Sequence, residues 1–157
     1  MNDKTSTKPG LRKVLIANDK LDGLDLALPK AAMIEHFSGA SIDVIEVVYD
    51  TIAEEPARIL PRAEQANLIE GLKAAVRNAL KRLIAPFESR VADIETRVVW
   101  NTNAAECILG VLDDVDFLIK PISRLQGLID RLHAPLDWAL TRRAPCPVII
   151  SKTEWTD

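Results

Sequence analysis

The residues best suited to chemistry sit in DFLIKPISRLQG, residues 116–127. Lys120, Ser123 and Arg124 fall within it, and Arg131 follows shortly after. An apolar run such as Phe117-Leu118-Ile119 often leads into a glycine-rich turn whose bare backbone N–H groups approach an anion. Here the turn opens with Lys120-Pro121, and no glycine appears before Gly127. Proline has no N–H and a fixed φ, so an anion at this place would have to be held by side chains. A second charged loop spans Asn18 to Gly23, with Asp19, Lys20 and Asp22, and Asp25 lies just beyond it. The leading reading is a solvated basic loop beside an acidic one. A site for an anionic or amphipathic ligand is the alternative.

Other chemistries find little footing. There is no G-x-S-x-G elbow, no Ser-His-Asp arrangement and no metal motif, so no catalytic or metal-ligating residue is assigned. Asp113, Asp114 and Asp116 form a carboxylate run that reads as solvated turn residues. Cys107 and Cys146 belong to no zinc spacing and read as half-buried reduced thiols. His36 and His133 are far apart and read as helix-end or loop residues. The 157 residues carry a net charge of −3 with 48% hydrophobic content, which fits one ordinary domain and argues against a nucleic-acid footprint. No apolar run approaches the ~18 residues of a membrane span. Residues 1–10, MNDKTSTKPG, read as a disordered lead-in without the apolar core of a signal peptide, and residues 11–153 as the domain. The expected location is the cytoplasm.

The elements that must position these loops follow from periodicity. RKVLIAN (12–18) reads as a strand buried on both faces. Leu24, Leu28, Ala31, Ala32 and Phe37 recur at helical spacing, with Pro29 as a kink or a late helix start and Gly39 as the C-terminal cap. SIDVIEVVYD (41–50) is the second strand. After a polar connection with Pro56 and Pro61, a long amphipathic helix runs to Ala85 on a stripe of Leu68, Leu72, Val76, Ala79, Leu80 and Leu83. ADIETRVVWN (92–101) is the third strand, with Ile94, Val98 and Trp100 on one face. Asn103 and Glu106 have the spacing of a capping box before the short helix AAECILGVL. DFLIK (116–120) is the fourth strand. Pro135 opens a helix that ends at Arg142-Arg143, and Val148 to Ser151 form the fifth strand.

Strict alternation of apolar strands and helices means an α/β fold: a doubly wound parallel sheet with helices on both faces. Ligands in such sheets bind beyond the carboxyl ends of the strands, where the strand order reverses. The loops after strands one and four are therefore the ones that matter.

This layout and three local signatures resemble the universal stress protein (UspA-like) family. KVLIAND (13–19) is similar to its opening strand and adenine-side acid. RVVWNTNAAECILGVLDDVDFLIK resembles its third strand, capped helix and fourth strand. LTRRAPCPVIISK resembles its closing helix and strand. The resemblance covers residues 12 to 152. It implies a Rossmann-like five-stranded sheet of order 3-2-1-4-5 and a role in stress response.

ATP-binding members of that family carry G-x-x-G, nine residues, then G-[ST] after the fourth strand. Laid on this chain, those positions fall at Pro121, Arg124, Ala134 and Pro135, and all four depart. The loop ISRLQGLIDRLHAPLDWAL looks closer to the tandem-domain E-type branch, in which similar loops are degenerate. No cofactor is therefore expected, ATP and AMP included, and the expected role is a non-enzymatic regulatory or scaffold dimer. Two alternatives stay open. One is an adenine-nucleotide switch, or weak ATPase, held by side chains of the loop after strand four. The other is a binder of an anionic or hydrophobic small ligand. Ligand-contact candidates are Asp19, Lys20, Val47, Lys120, Ser123, Arg124 and Gly127; Asp19 reads first as a helix-entry cap. The resemblance also implies a homodimer through the fifth strand, with Val148, Ile149, Ile150 and Ser151 at the interface. A protein partner or small ligand is compatible with this.

Overall fold

The computed structural model describes residues 10–18, 21, 23–49, 59–91, 93–122 and 135–151. Five strands form one parallel sheet: β1 (Lys13–Asn18), β2 (Ser41–Val48), β3 (Ile94–Trp100), β4 (Phe117–Pro121) and β5 (Val148–Ser151). Their order is β3-β2-β1-β4-β5, so the direction of winding reverses between β1 and β4. Among the described residues four helices connect them: α1 (Leu24–Ser38), α2 (Arg62–Ile84), α3 (Ala104–Leu109) and α4 (Pro135–Arg143). The alternation and the strand order match the expectation from the sequence.

Alternate side chains of the strands feed two cores. Val14, Ile16, Ile42, Val44, Val98 and Ile119 pack with Leu24, Ala27, Leu28 and Ala31 of α1 and with Leu80 and Ile84 of α2. Leu15, Ala17, Ile45, Val47 and Leu118 pack on the other side with Ile108 of α3, Leu112 and Leu140 of α4. Central strands buried on both faces explain why β1 reads as an unbroken apolar run.

Several local readings need correction. The stripe expected on α2 is rotated: Leu80 and Ile84 are buried, whereas Leu68 and Leu83 are 36% and 39% exposed. At 100° per residue, positions 73, 76, 80, 84 and 87 share a face, and Leu68 lies a third of a turn away. The capping box is half formed. Asn103 Oδ1 accepts from the Glu106 N–H at 3.2 Å, but the Asn103 N–H donates to Asn101 Oδ1 at 2.8 Å. The Glu106 carboxylate instead pairs with Arg143 at the end of α4, which clamps the two short helices and holds its carboxyl below the usual range. The helix itself stops at Leu109, short of the AAECILGVL span.

Asp116 is more than a solvated turn residue. Its Oδ2 accepts from the backbone N–H of Arg12 at 2.7 Å and of Lys13 at 2.9 Å. This joins the entry of β4 to the entry of β1. The two backbone N–H donors hold its carboxyl below the ordinary aspartate range, Arg12 contributing most.

Pro29 neither ends α1 nor delays it; the helix runs through. A proline removes one helical N–H, the one that would meet the carbonyl four residues earlier. The Leu26 carbonyl receives two side chains: Lys30 Nζ at 3.0 Å and Ser151 Oγ at 3.0 Å. Lys30 Nζ also donates to Ser151 Oγ at 2.9 Å. Ser151 is fully buried, so this triangle fastens the end of β5 to α1.

Two outcomes are expected. Ser151→Ala lowers stability by about 1 kcal/mol in urea unfolding, because the part-buried Leu26 carbonyl loses one of its two side-chain donors. Asp116→Ala lowers it by about 1 kcal/mol. The native pKa of Asp116 is depressed, so its contribution is present above about pH 4 and fades as pH falls further. Wild type and Asp116→Ala therefore converge in stability as pH falls through the depressed native value of Asp116 in pH-stepped denaturation.

Candidate functional site

The place to look is the crevice beyond the carboxyl ends of β1 and β4, where the order reverses. Gly23 is the N-terminal boundary of α1 and has φ 91°, a left-handed conformation that favours glycine. A Cβ there would stand 3.0 Å from Pro121 Cβ and 3.2 Å from the Ile122 carbonyl oxygen. The chain leaving β4 thus presses on the start of α1. Pro121 is itself buried, has no N–H, and is followed by an Ile122 N–H that donates to the Ser151 carbonyl at 2.9 Å. The first two backbone positions after Lys120 therefore offer an anion no free donor.

Lys120 is 3% exposed. Its Nζ donates to the Pro121 carbonyl at 2.8 Å and lies 3.6 Å from Asp137 Oδ1 in the first turn of α4. Its charge is directed under α4 and matched there. Val47 is 2% exposed and packs in the α3–α4 core. The sequence marks both as ligand contacts, and the structure places both in the interior. Asp19, Lys20, Ser123, Arg124 and Gly127 lie outside the described residues, as do Asp22, Arg131 and His133.

One polar feature escaped sequence reasoning. Asn18 and Glu46 face each other across β1 and β2, exposed only 1% and 2%, on the α1–α2 side at the carboxyl ends of their strands. Among the described residues the Asn18 Nδ2 has no hydrogen-bond partner. The signal available in the sequence was Glu46 itself, a charge inside the run Val44-Ile45-Glu46-Val47-Val48.

The thiols are not activated. Burial pushes Cys107 up despite nearby Arg97, and burial with the Asp116 charge pushes Cys146 up. Among the described residues no group of three His, Cys, Asp or Glu side chains is placed to hold a metal, and no helix is long and apolar enough to cross a membrane.

The universal stress protein family profile matches residues 10–152. The chain belongs to the universal stress protein family. It is 28% identical over 149 residues to Universal stress protein E of Photorhabdus laumondii, covering 93% of this chain and 47% of that one. It thus spans about half the length of that curated relative. Among solved structures, UspA from Lactobacillus plantarum superposes with a TM-score of 0.66 at 14% identity, covering 90% of this chain and 98% of that one. A universal stress protein in complex with cAMP superposes with a TM-score of 0.58 at 19% identity, covering 92% and 99%. At such identities these two likenesses speak to the fold.

The Lys120–Asp137 pair yields a direct test. Asp137→Asn leaves a buried ammonium short of its carboxylate and is expected to cost about 1–3 kcal/mol. Lys120→Met in the same chain should recover part of that loss. Equal stability of Asp137→Asn and wild type in guanidinium unfolding would contradict the pairing.

Proposed function

We propose that this chain is a universal-stress-type regulatory or scaffold domain that works by binding partners, without turning over nucleotide. The observation that carries this is the end of β4. Pro121 stands where ATP-binding relatives have the first loop glycine, Gly23 is pressed against it, and the next N–H is taken by Ser151. Backbone donors and positive-φ glycines are what such a loop supplies to phosphate oxygens. Arg124, Ala134 and Pro135 at the remaining motif positions support the same reading. Without that loop, no cofactor and no ATPase chemistry are proposed.

The working unit in this reading is a homodimer through β5. Among the described residues that strand pairs only with β4, leaving its outer edge open. Val148 and Ile149 pack into the two cores, whereas half-buried Ile150 belongs to neither. An apolar edge needs a cover, and a second copy across a two-fold axis supplies one.

A second reading is favoured by one observation, the relative whose structure is a complex with cAMP. As read from the sequence, this switch holds an adenine nucleotide with the side chains of Lys120, Ser123 and Arg124; Lys120 is 3% exposed and lies 3.6 Å from Asp137, which leaves Ser123 and Arg124 to carry the reading. Calorimetric titration with ATP and magnesium separates the two. No saturable heat up to millimolar nucleotide is expected. Saturable binding abolished by Arg124→Ala would establish the side-chain site instead. For the dimer, Ile150→Asp is expected to convert the protein to monomer in sedimentation velocity, and an unchanged dimer would remove β5 as the interface.

A further inference from the structure

The opposite edge of the sheet carries a self-complementary pattern. Among the described residues β3 pairs only with β2, which leaves its other side open along seven residues, Ile94–Trp100. Glu95, Thr96 and Arg97 at its middle are all exposed. Neither Glu95 nor Arg97 enters an ion pair among the described residues. Both point to the α3–α4 side of the sheet. There, beside the six-residue α3, lies a shallow depression of about 80 Å³, lined by Lys13, Asp43, Ile45, Val111 and the β3 residues themselves. Ile94 and Val98 point the other way and pack under α2.

We infer that β3 pairs antiparallel with β3 of a second copy of this chain, about a two-fold axis through Thr96. The register follows from charge. Centring the axis on Thr96 sets Glu95 opposite the second copy's Arg97 and Arg97 opposite its Glu95, while Ile94 meets Val98. Centring it on Glu95 or Arg97 instead sets like charges directly opposite, which is destabilising. Charges on an edge strand ordinarily repel foreign strands. Two opposite charges spaced two residues apart on one face reject the neighbouring registers and admit this one. The two-fold axis makes every contact twice, so each substitution acts twice. Pairing of a single seven-residue edge buries little area, so the association is weak and rises with concentration. It is independent of β5: with both edges engaged, the sheet would continue from copy to copy.

The test is made on the full chain carrying Ile150→Asp, which removes the β5 contact and leaves β3 untouched. Thr96→Cys is expected to form an intermolecular disulfide under mild oxidation, located by peptide mapping. Residues directly opposite in an antiparallel ladder have Cα atoms about 4.5–5.5 Å apart, within disulfide range. Glu95→Cys, two pairs out of register with its own copy, should not form one. In sedimentation equilibrium, Glu95→Arg and Arg97→Glu should each weaken association about tenfold, and the double swap should restore it to within about threefold. Both substituted positions are exposed, so thermal unfolding should report folded protein throughout. Absence of a cross-link in the Thr96→Cys variant, or a double swap that associates no better than either single variant, overturns the inference. Wild type that dimerises while Thr96→Cys fails to cross-link leaves the β5 reading standing and removes this one.

Discussion

An imino acid at the end of β4 constrains everything around it. Pro121 contributes no donor, fixes its own φ, and is buried against Gly23. The two loops that flank the reversal of strand order are therefore joined by packing at the point where a doubly wound sheet ordinarily opens for a ligand. The next N–H belongs to the sheet through Ser151, and the preceding side chain, Lys120, is drawn inward to Asp137. Each backbone or side-chain group that could greet an anion at these three positions already has a structural use.

The same economy appears at β5. Ser151 accepts Ile122 through its carbonyl, meets Lys30 through its hydroxyl, and caps the Leu26 carbonyl beside Pro29. The turn of α1 that holds Pro29 is thus coupled to the strand at the sheet edge. Asp116 acts similarly at the other end of β4 by accepting two N–H groups from the entry to β1. Hydrogen bonds at both ends of a five-residue strand hold β4 in place, while Leu118 and Ile119 fill the cores on either side.

Much of the fold was legible in the sequence, because apolar strands alternating with amphipathic helices specify a doubly wound parallel sheet. The boundaries of β1 and α2 follow from runs and punctuation that proline and glycine make plain, and the strand order from the family resemblance. Long-range polar contacts were not legible. Asp116 looks like its neighbours Asp113 and Asp114 until β1 is laid beside it, and Glu106 satisfies a local capping pattern while its side chain answers to Arg143, 37 residues away. Lys120 reads as a loop cation because nothing local announces that α4 returns over it with Asp137. Glu46 opposite Asn18 required the β1–β2 register. The family, by contrast, was visible from the closing segment LTRRAPCPVIISK and is confirmed across residues 10–152.

The claim on which the functional account turns is that the main chain leaving β4 is committed to the fold. Amide NMR spectra of the protein with and without millimolar ATP and magnesium test it most directly. The account expects the Ile122 amide to be protected from exchange by its bond to Ser151, and the Gly23 and Ile122 signals to stay in place when nucleotide is added. Rapid exchange at Ile122, together with saturable nucleotide-dependent shifts of both signals, would contradict it.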